Sequence, residues 1–123
     1  MRETRQRIAI RNALETQKRP LQIKEIQAIA QTECEGLGIA TVYRTLRTML
    51  LKKQVQKLEL PGISTCYCIP RAKKTPLLIC NRTRQIHWLE GANLNIDLPS
   101  IPENFEYQGH EVIVIGHFRK PAK

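Results

Sequence analysis

This chain is short of aromatic side chains, acids and long apolar runs, and each shortage excludes something. Phe, Trp and Tyr make up 5% of its 123 residues, and no basic stretch is paired with a large aromatic or leucine-rich insertion face of the kind that docks on a membrane surface. No window approaches the run of about 18 apolar residues that a membrane-spanning helix needs. The opening "MRETRQR" has charges but no apolar run behind them, so no signal peptide is expected and a cytoplasmic location is. Catalytic patterns are lacking too. There is no nucleophile with its base, no carboxylate pair in an apolar setting and no phosphate-binding glycine loop, so an enzyme is not expected.

Acids are outnumbered, 11 against 20 Lys and Arg, for a net charge of +9. The first sixty residues hold 12 of the basic residues and 6 of the acids. That early concentration points to a polyanion, with nucleic acid ahead of membrane. Four cysteines, at 34, 66, 68 and 80, in a chain with no export signal read as reduced thiols rather than a disulfide framework.

The clearest element is "GIATVYRTLRTMLLKK", residues 38–53. Ile39, Val42, Leu46, Met49 and Leu50 recur at the three-and-four spacing of a buried helix face. Thr41, Arg44, Thr45 and Thr48 gather opposite, with Arg47 beside them and Tyr43 at the border. Upstream, residues 5–16 place Ala9, Ile10, Ala13 and Leu14 on one side and Arg7, Arg11 and Asn12 on the other, with Thr4 positioned to cap. "KRP" breaks the chain, and the isoleucines of 22–32 set a second short helix. After Lys53 the period falls to two. "VQKLEL" and "ISTCYCI", joined at "PG", read as a β-hairpin.

Three helices followed by a hairpin predict a winged helix-turn-helix over residues 1–70, whose third helix is the one offered to the DNA major groove. From residue 71 the composition shifts. Six of the seven prolines lie from residue 61 onward, and "PLLIC", "QIHWL" and "EVIVIG" are strand-like. Residues 71–123 therefore read as a second, β-rich subdomain, too small for a confident core of its own, whose strand edges a second copy of the chain would complete. The expected fold class is α+β.

The pattern G-x-A-T-V-Y-R-T-L at Gly38–Leu46 resembles the recognition helix of the ferric-uptake-regulator (Fur) family of bacterial metalloregulators. "QR" at 6–7, "RPLQIKEI" at 19–26, Tyr67, "LLIC" at 77–80 and "F-x-Y-x-x-H-x-V-x-V-x-G" from Phe105 to Gly116 extend the resemblance over nearly the whole chain. It implies a homodimeric transcriptional regulator, a repressor, that binds a double-stranded DNA operator through an N-terminal winged helix and carries a small αβ dimerisation domain. It also implies that Tyr43 and Arg44 contact DNA and that basic residues of the first helix, Arg5 and Arg7, approach its backbone. Arg44 suits guanine, whose two acceptors match the guanidinium fork. Thr41, Thr45, Thr48, Arg47 and Arg5 suit phosphate. Tyr43 is open to either core or DNA.

The metal apparatus departs from the family pattern. A structural zinc in many members uses two C-x-x-C pairs, and here only Cys80 remains, with Thr83 at the second position and Phe118 where the other pair would begin. "KKTP" at 73–76 replaces the histidine-rich run, Pro20 a histidine and Trp88 an acid. A replacement site for zinc or another divalent metal would draw on Cys66, Cys68, Cys80, His87 and His110; alternatively these cysteines pack as small hydrophobes or sense thiol chemistry. Pro99 and Pro102 argue against a long helix over 91–104. A competing reading is a protein-interaction module that dimerises with an intact relative without binding DNA alone.

Overall fold

The computed structural model describes residues 2–60, 62–71, 75–91 and 101–119, with residues 2–4 described as backbone only. The chain divides into two compact units, Met1–Ala72 and Lys73–Lys123.

In the first unit, α1 (Arg2–Gln17) is followed by a two-residue strand β1 (Leu21–Gln22), then α2 (Ile23–Ala30), α3 (Ile39–Leu51), β2 (Gln56–Leu58) and β3 (Cys66–Cys68). α1 buries Ala9, Ile10, Ala13 and Leu14 as its spacing predicts. It begins before Thr4, so that residue lies within the first turn and does not cap it. Ile10, Leu14, Leu21, Ile26, Leu37, Val42, Leu46 and Met49 form one apolar cluster, with Tyr67 entering from β3. The three helices are thus held by a shared core rather than by their own propensity.

The predicted hairpin is present. β2 and β3 pair antiparallel, with Lys57 opposite Tyr67 and Leu58 opposite Cys66. β1 adds to the other edge of β3, with Leu21 opposite Tyr67, giving the order β1-β3-β2. β1 is not foreseen in the sequence because two residues carry no periodicity. Pro20 and Leu21 are buried ahead of α2, and Glu25 fixes that helix's start. One carboxylate oxygen accepts the Gln22 N–H at 3.0 Å and the other pairs with Arg19 at 2.7 Å. The first-turn acid also suits the positive end of the helix.

α3 ends in a Schellman turn. Lys53 takes the left-handed conformation at φ 58°, its N–H bonds to the Leu50 carbonyl at 3.0 Å, and the Gln54 N–H bonds to the Met49 carbonyl at 2.8 Å. The helix carbonyls are satisfied although the position lacks the usual glycine.

The second unit holds β4 (Leu77–Cys80), β5 (Ile86–Trp88) and β6 (Ile113–Gly116), in the order β5-β4-β6. β4 and β5 form an antiparallel hairpin, while β6 runs parallel to β4 with Leu77 opposite Ile113 and Cys80 opposite Gly116. A parallel pair requires a crossover connection. Part of that connection, 92–100, lies outside the described residues, as does Pro99; residues 101–104 are not helical. Leu77, Ile79, Cys80 and Ile86 are buried, and no described residue of this unit is in a helix.

Leu46 is 1% exposed at the centre of the first unit. Leu46→Ala should destabilise it by about 2–5 kcal/mol through the lost methyl groups and the cavity left behind, read as a lower urea midpoint by circular dichroism.

Candidate nucleic-acid interface

The attitude of α3 is set by the turn before it. After α2 the chain tightens, the Cys34 N–H reaching the Ala30 carbonyl at 2.9 Å, and Gly36 adopts φ 79°, which glycine takes without a Cβ clash. Leu37 then enters the core at 2% exposure. Its carbonyl accepts two side-chain amides, from Gln27 Nε2 of α2 at 3.1 Å and from Nε2 of Gln31, the α2 C-cap, at 3.0 Å. Asn12 of α1 donates to both carboxylate oxygens of Glu33, at 3.0 and 3.3 Å. α3 therefore starts from an anchored point, with Gly38 as its N-cap.

From that start, Val42, Thr45, Leu46 and Met49 face the core. Thr45 corrects the expectation that placed it on the outward face. It stands three residues after Val42 and four before Met49, so spacing carries it inward despite its hydroxyl, and it is 9% exposed. Ile39 errs the other way. At 38% exposed it lies in the first turn, where the apolar stripe has not yet met the other helices.

Outward stand Tyr43, half-exposed at 50%, and the exposed Arg44 and Arg47, with Thr41 and Thr48 partly covered. Arg44 donates from Nη2 to Thr41 Oγ1 at 3.3 Å, a single long bond that holds the guanidinium along the helix. Thr48 Oγ1 donates back to the Arg44 carbonyl at 3.2 Å. Arg5 and Thr41, with Gln6, Cys34, Glu35, Gly36 and Leu37, line an open cleft of about 520 Å³. Arg7 is half-buried rather than fully outward, and its Nε is enclosed with no hydrogen-bond partner among the described residues. Arg11, Lys52, Lys53 and Lys57 are exposed.

A basic, exposed helix face on a helix-turn-helix with a β-hairpin behind it is a nucleic-acid-binding architecture. Over residues 1–115 the sequence matches the ferric uptake regulator family. The chain belongs to that family. Fur-family proteins are DNA-binding, metal-responsive transcriptional regulators.

Solved structures agree on the fold. A zinc-bound manganese uptake regulator superposes with a TM-score of 0.71 at 17% identity, over 91% of this chain and 86% of its own. The Helicobacter pylori ferric uptake regulator, reported with three functional metal-binding sites, gives 0.67 at 17% identity over 93% and 77%. The Campylobacter jejuni peroxide stress regulator gives 0.65 at 19% identity over 98% and 90%. No curated protein sequence matches.

Among the described residues, no three His, Cys, Asp or Glu side chains gather where they could hold an ion. Cys66 and Cys68 are buried on β3. Burial pushes the Cys66 thiol up to about 12, helped by the neighbouring Glu25 and Cys68, and Cys66 Sγ donates to the Ser64 carbonyl at 3.2 Å. Cys68 is raised to about 11, again by burial. His110 Nδ1 shares a hydrogen bond with the Tyr107 hydroxyl, and His87 meets the Phe118 ring edge-on.

Cys80 differs in kind. Its thiol is lowered to about 6 by hydrogen bonds, the Thr83 hydroxyl first, then the amides of Thr83, Phe118 and Arg82. Of the zinc positions in the family pattern, one thiol is present beside a threonine hydroxyl and a phenylalanine. That donor set does not fit a tetrahedral zinc, which takes four N, S or carboxylate ligands in a structural site.

Thiol accessibility provides a check. At neutral pH, maleimide labelling of the folded protein should modify the half-buried, cleft-lining Cys34 well before Cys66 and Cys68, whose protonated, enclosed thiols should react only after unfolding. Peptide mapping by mass spectrometry reads the order, and equal rates would contradict the burial.

Proposed function

We propose that this chain is a sequence-specific transcriptional regulator, a repressor, that binds a double-stranded operator as a homodimer and whose metal sensing is degenerate or absent. The observation that carries the reading is α3 itself. It is anchored through Leu37 and presents Tyr43, Arg44 and Arg47 to solvent.

Arg44 is the base-reading residue, since among the described residues its guanidinium hydrogen-bonds only to Thr41, a long bond readily exchanged for a guanine edge. Tyr43 contacts DNA with its half-exposed ring. Arg47, Thr41, Thr48 and Arg5 hold phosphate and fix the register. Arg7, half-buried on α1, adds positive charge beside the same backbone contact. Thr45, turned into the core, is left out of the interface.

Homodimerisation rests on the second unit. Among the described residues β6 pairs only with β4, so its other edge is open, and Val114 and Ile115 on it are 41% and 57% exposed. An open apolar edge strand invites pairing with a second copy. The competing interaction-module reading leaves the exposed arginines of α3 without a role.

Binding to a duplex from the protein's own promoter region, followed by gel shift or anisotropy, should weaken linearly with log salt concentration. Absence of any salt-sensitive preference for that duplex over random sequence would end this reading. Arg44→Ala should remove about 1–3 kcal/mol of discrimination at one base position while leaving the solution mass unchanged.

Ile115→Glu, a charge on an exposed edge that a folded monomer tolerates, should shift the mass measured by light scattering from dimer to monomer. A variant that remains dimeric would place the interface elsewhere.

A further inference from the structure

Neither Gln27 nor Gln31 belongs to the proposed DNA contacts, yet both reach the backbone that leads into α3. Given the reading of α3 as the DNA-reading helix, we infer that these two glutamines are positioning residues for sequence recognition, fixing through the Leu37 carbonyl the direction in which Arg44 points.

The two side chains lie four residues apart and so share one helical face. Gln27 Nε2 reaches the Leu37 oxygen at 3.1 Å and Gln31 Nε2 at 3.0 Å. Their platform is fixed at both ends. Ahead of α2, Arg19 pairs with Glu25 at 2.7 Å. After it, the Cys34 N–H reaches the Ala30 carbonyl at 2.9 Å, and the Asn12 amide of α1 holds Glu33. Ile26 and Ala30 are buried beneath. The Leu37 N–H bonds to the Cys34 carbonyl at 3.3 Å, so Leu37 is held through both backbone groups.

One donor is enough to satisfy a buried carbonyl. Gln31 is exposed and Gln27 half-buried, so each gives up rotamer freedom and water contacts for a bond of modest net worth. What two such bonds on one acceptor supply is direction. A single bond lets the oxygen pivot about it, and a second donor one turn away removes that freedom.

The distance to Arg44 makes direction matter. Arg44 stands six residues beyond Gly38, the α3 N-cap, roughly 9 Å along the helix axis. A tilt of about 10° at the start of α3 would carry the Arg44 backbone about 1.6 Å sideways, against a spread of about 0.5 Å in the length of a good hydrogen bond. The flexible stem can follow part of such a shift, but the fork that reads guanine must also keep its plane.

The full chain is compared with Gln27→Met, Gln31→Met and the double variant. Methionine keeps the length, the helix propensity and the net charge and removes the donor. In the double variant, the affinity for a duplex from the protein's own promoter region relative to a random duplex should fall by about tenfold, as misaligned base contacts lose discrimination. Its affinity for the random duplex, its salt slope and its solution mass should match the parent. Amide exchange gives a readout without DNA. The Val42 N–H closes the first turn of α3 on the Gly38 carbonyl at 3.1 Å. In the double variant it should exchange about tenfold faster, with the Ile10 and Leu14 amides of α1 unchanged. A double variant that keeps the parent's operator preference would overturn the inference, as would faster exchange shared equally by α1, the mark of a general loss of stability. If the parent itself prefers no duplex, the operator reading fails, and unchanged Val42 exchange would then overturn the clamp separately. If the double variant does not fold, the single variants, each keeping one donor, are judged by the same ratio and the same exchange.

Discussion

Everything on the exposed face of α3 depends on where the Leu37 carbonyl is held. Two glutamine amides one turn apart, on α2 and its C-cap, converge on that single oxygen, while the Leu37 side chain is sealed in the core. A backbone oxygen restrained on both sides leaves the following helix little freedom to swing or roll. The left-handed Gly36 just before it lets the chain reverse quickly enough for α2 to reach. The direction in which Arg44 points is thus decided seven residues upstream. A loss of either amide would act on recognition without touching a DNA contact.

The two units use cysteine in opposite ways. On β3, apolar surroundings penalise the charged form, and the thiols of Cys66 and Cys68 stay protonated as packing groups. At the end of β4, convergent donors favour the charged form of Cys80. The same residue type is packed filler in one sheet and the more acidic thiol in the other.

How much of this could be read from the sequence follows from how local each cause is. The three helices, the hairpin and the three later strands rest on short-range periodicity, and they appear where that periodicity puts them. The Thr45 hydroxyl suggests an outward face, yet a threonine between Val42 and Met49 at intervals of three and four belongs to the buried stripe. Ile39 shows the converse, an apolar residue on the right stripe with no neighbour to bury it. β1 is too short to carry a pattern. The parallel pairing of β6 with β4 is illegible for a different reason: it joins positions more than thirty residues apart, which no local rule announces. The base-reading role of Arg44 rests on the motif around it and on exposure that the fold supplies.

Every non-glycine residue found in the left-handed region among the described residues is basic: Lys18, Lys53 and Arg84. Each ends a helix or turns a hairpin at a position where glycine is the relaxed choice, and a side chain there costs roughly 1 kcal/mol or more. Three concessions of that size are substantial for a chain of this length, whose total stability is a small difference between large terms. The protein gives up turn comfort to keep positive charge at the corners of its fold, where side chains reach furthest into solvent. Part of its cationic character is therefore written into places that the backbone tolerates poorly.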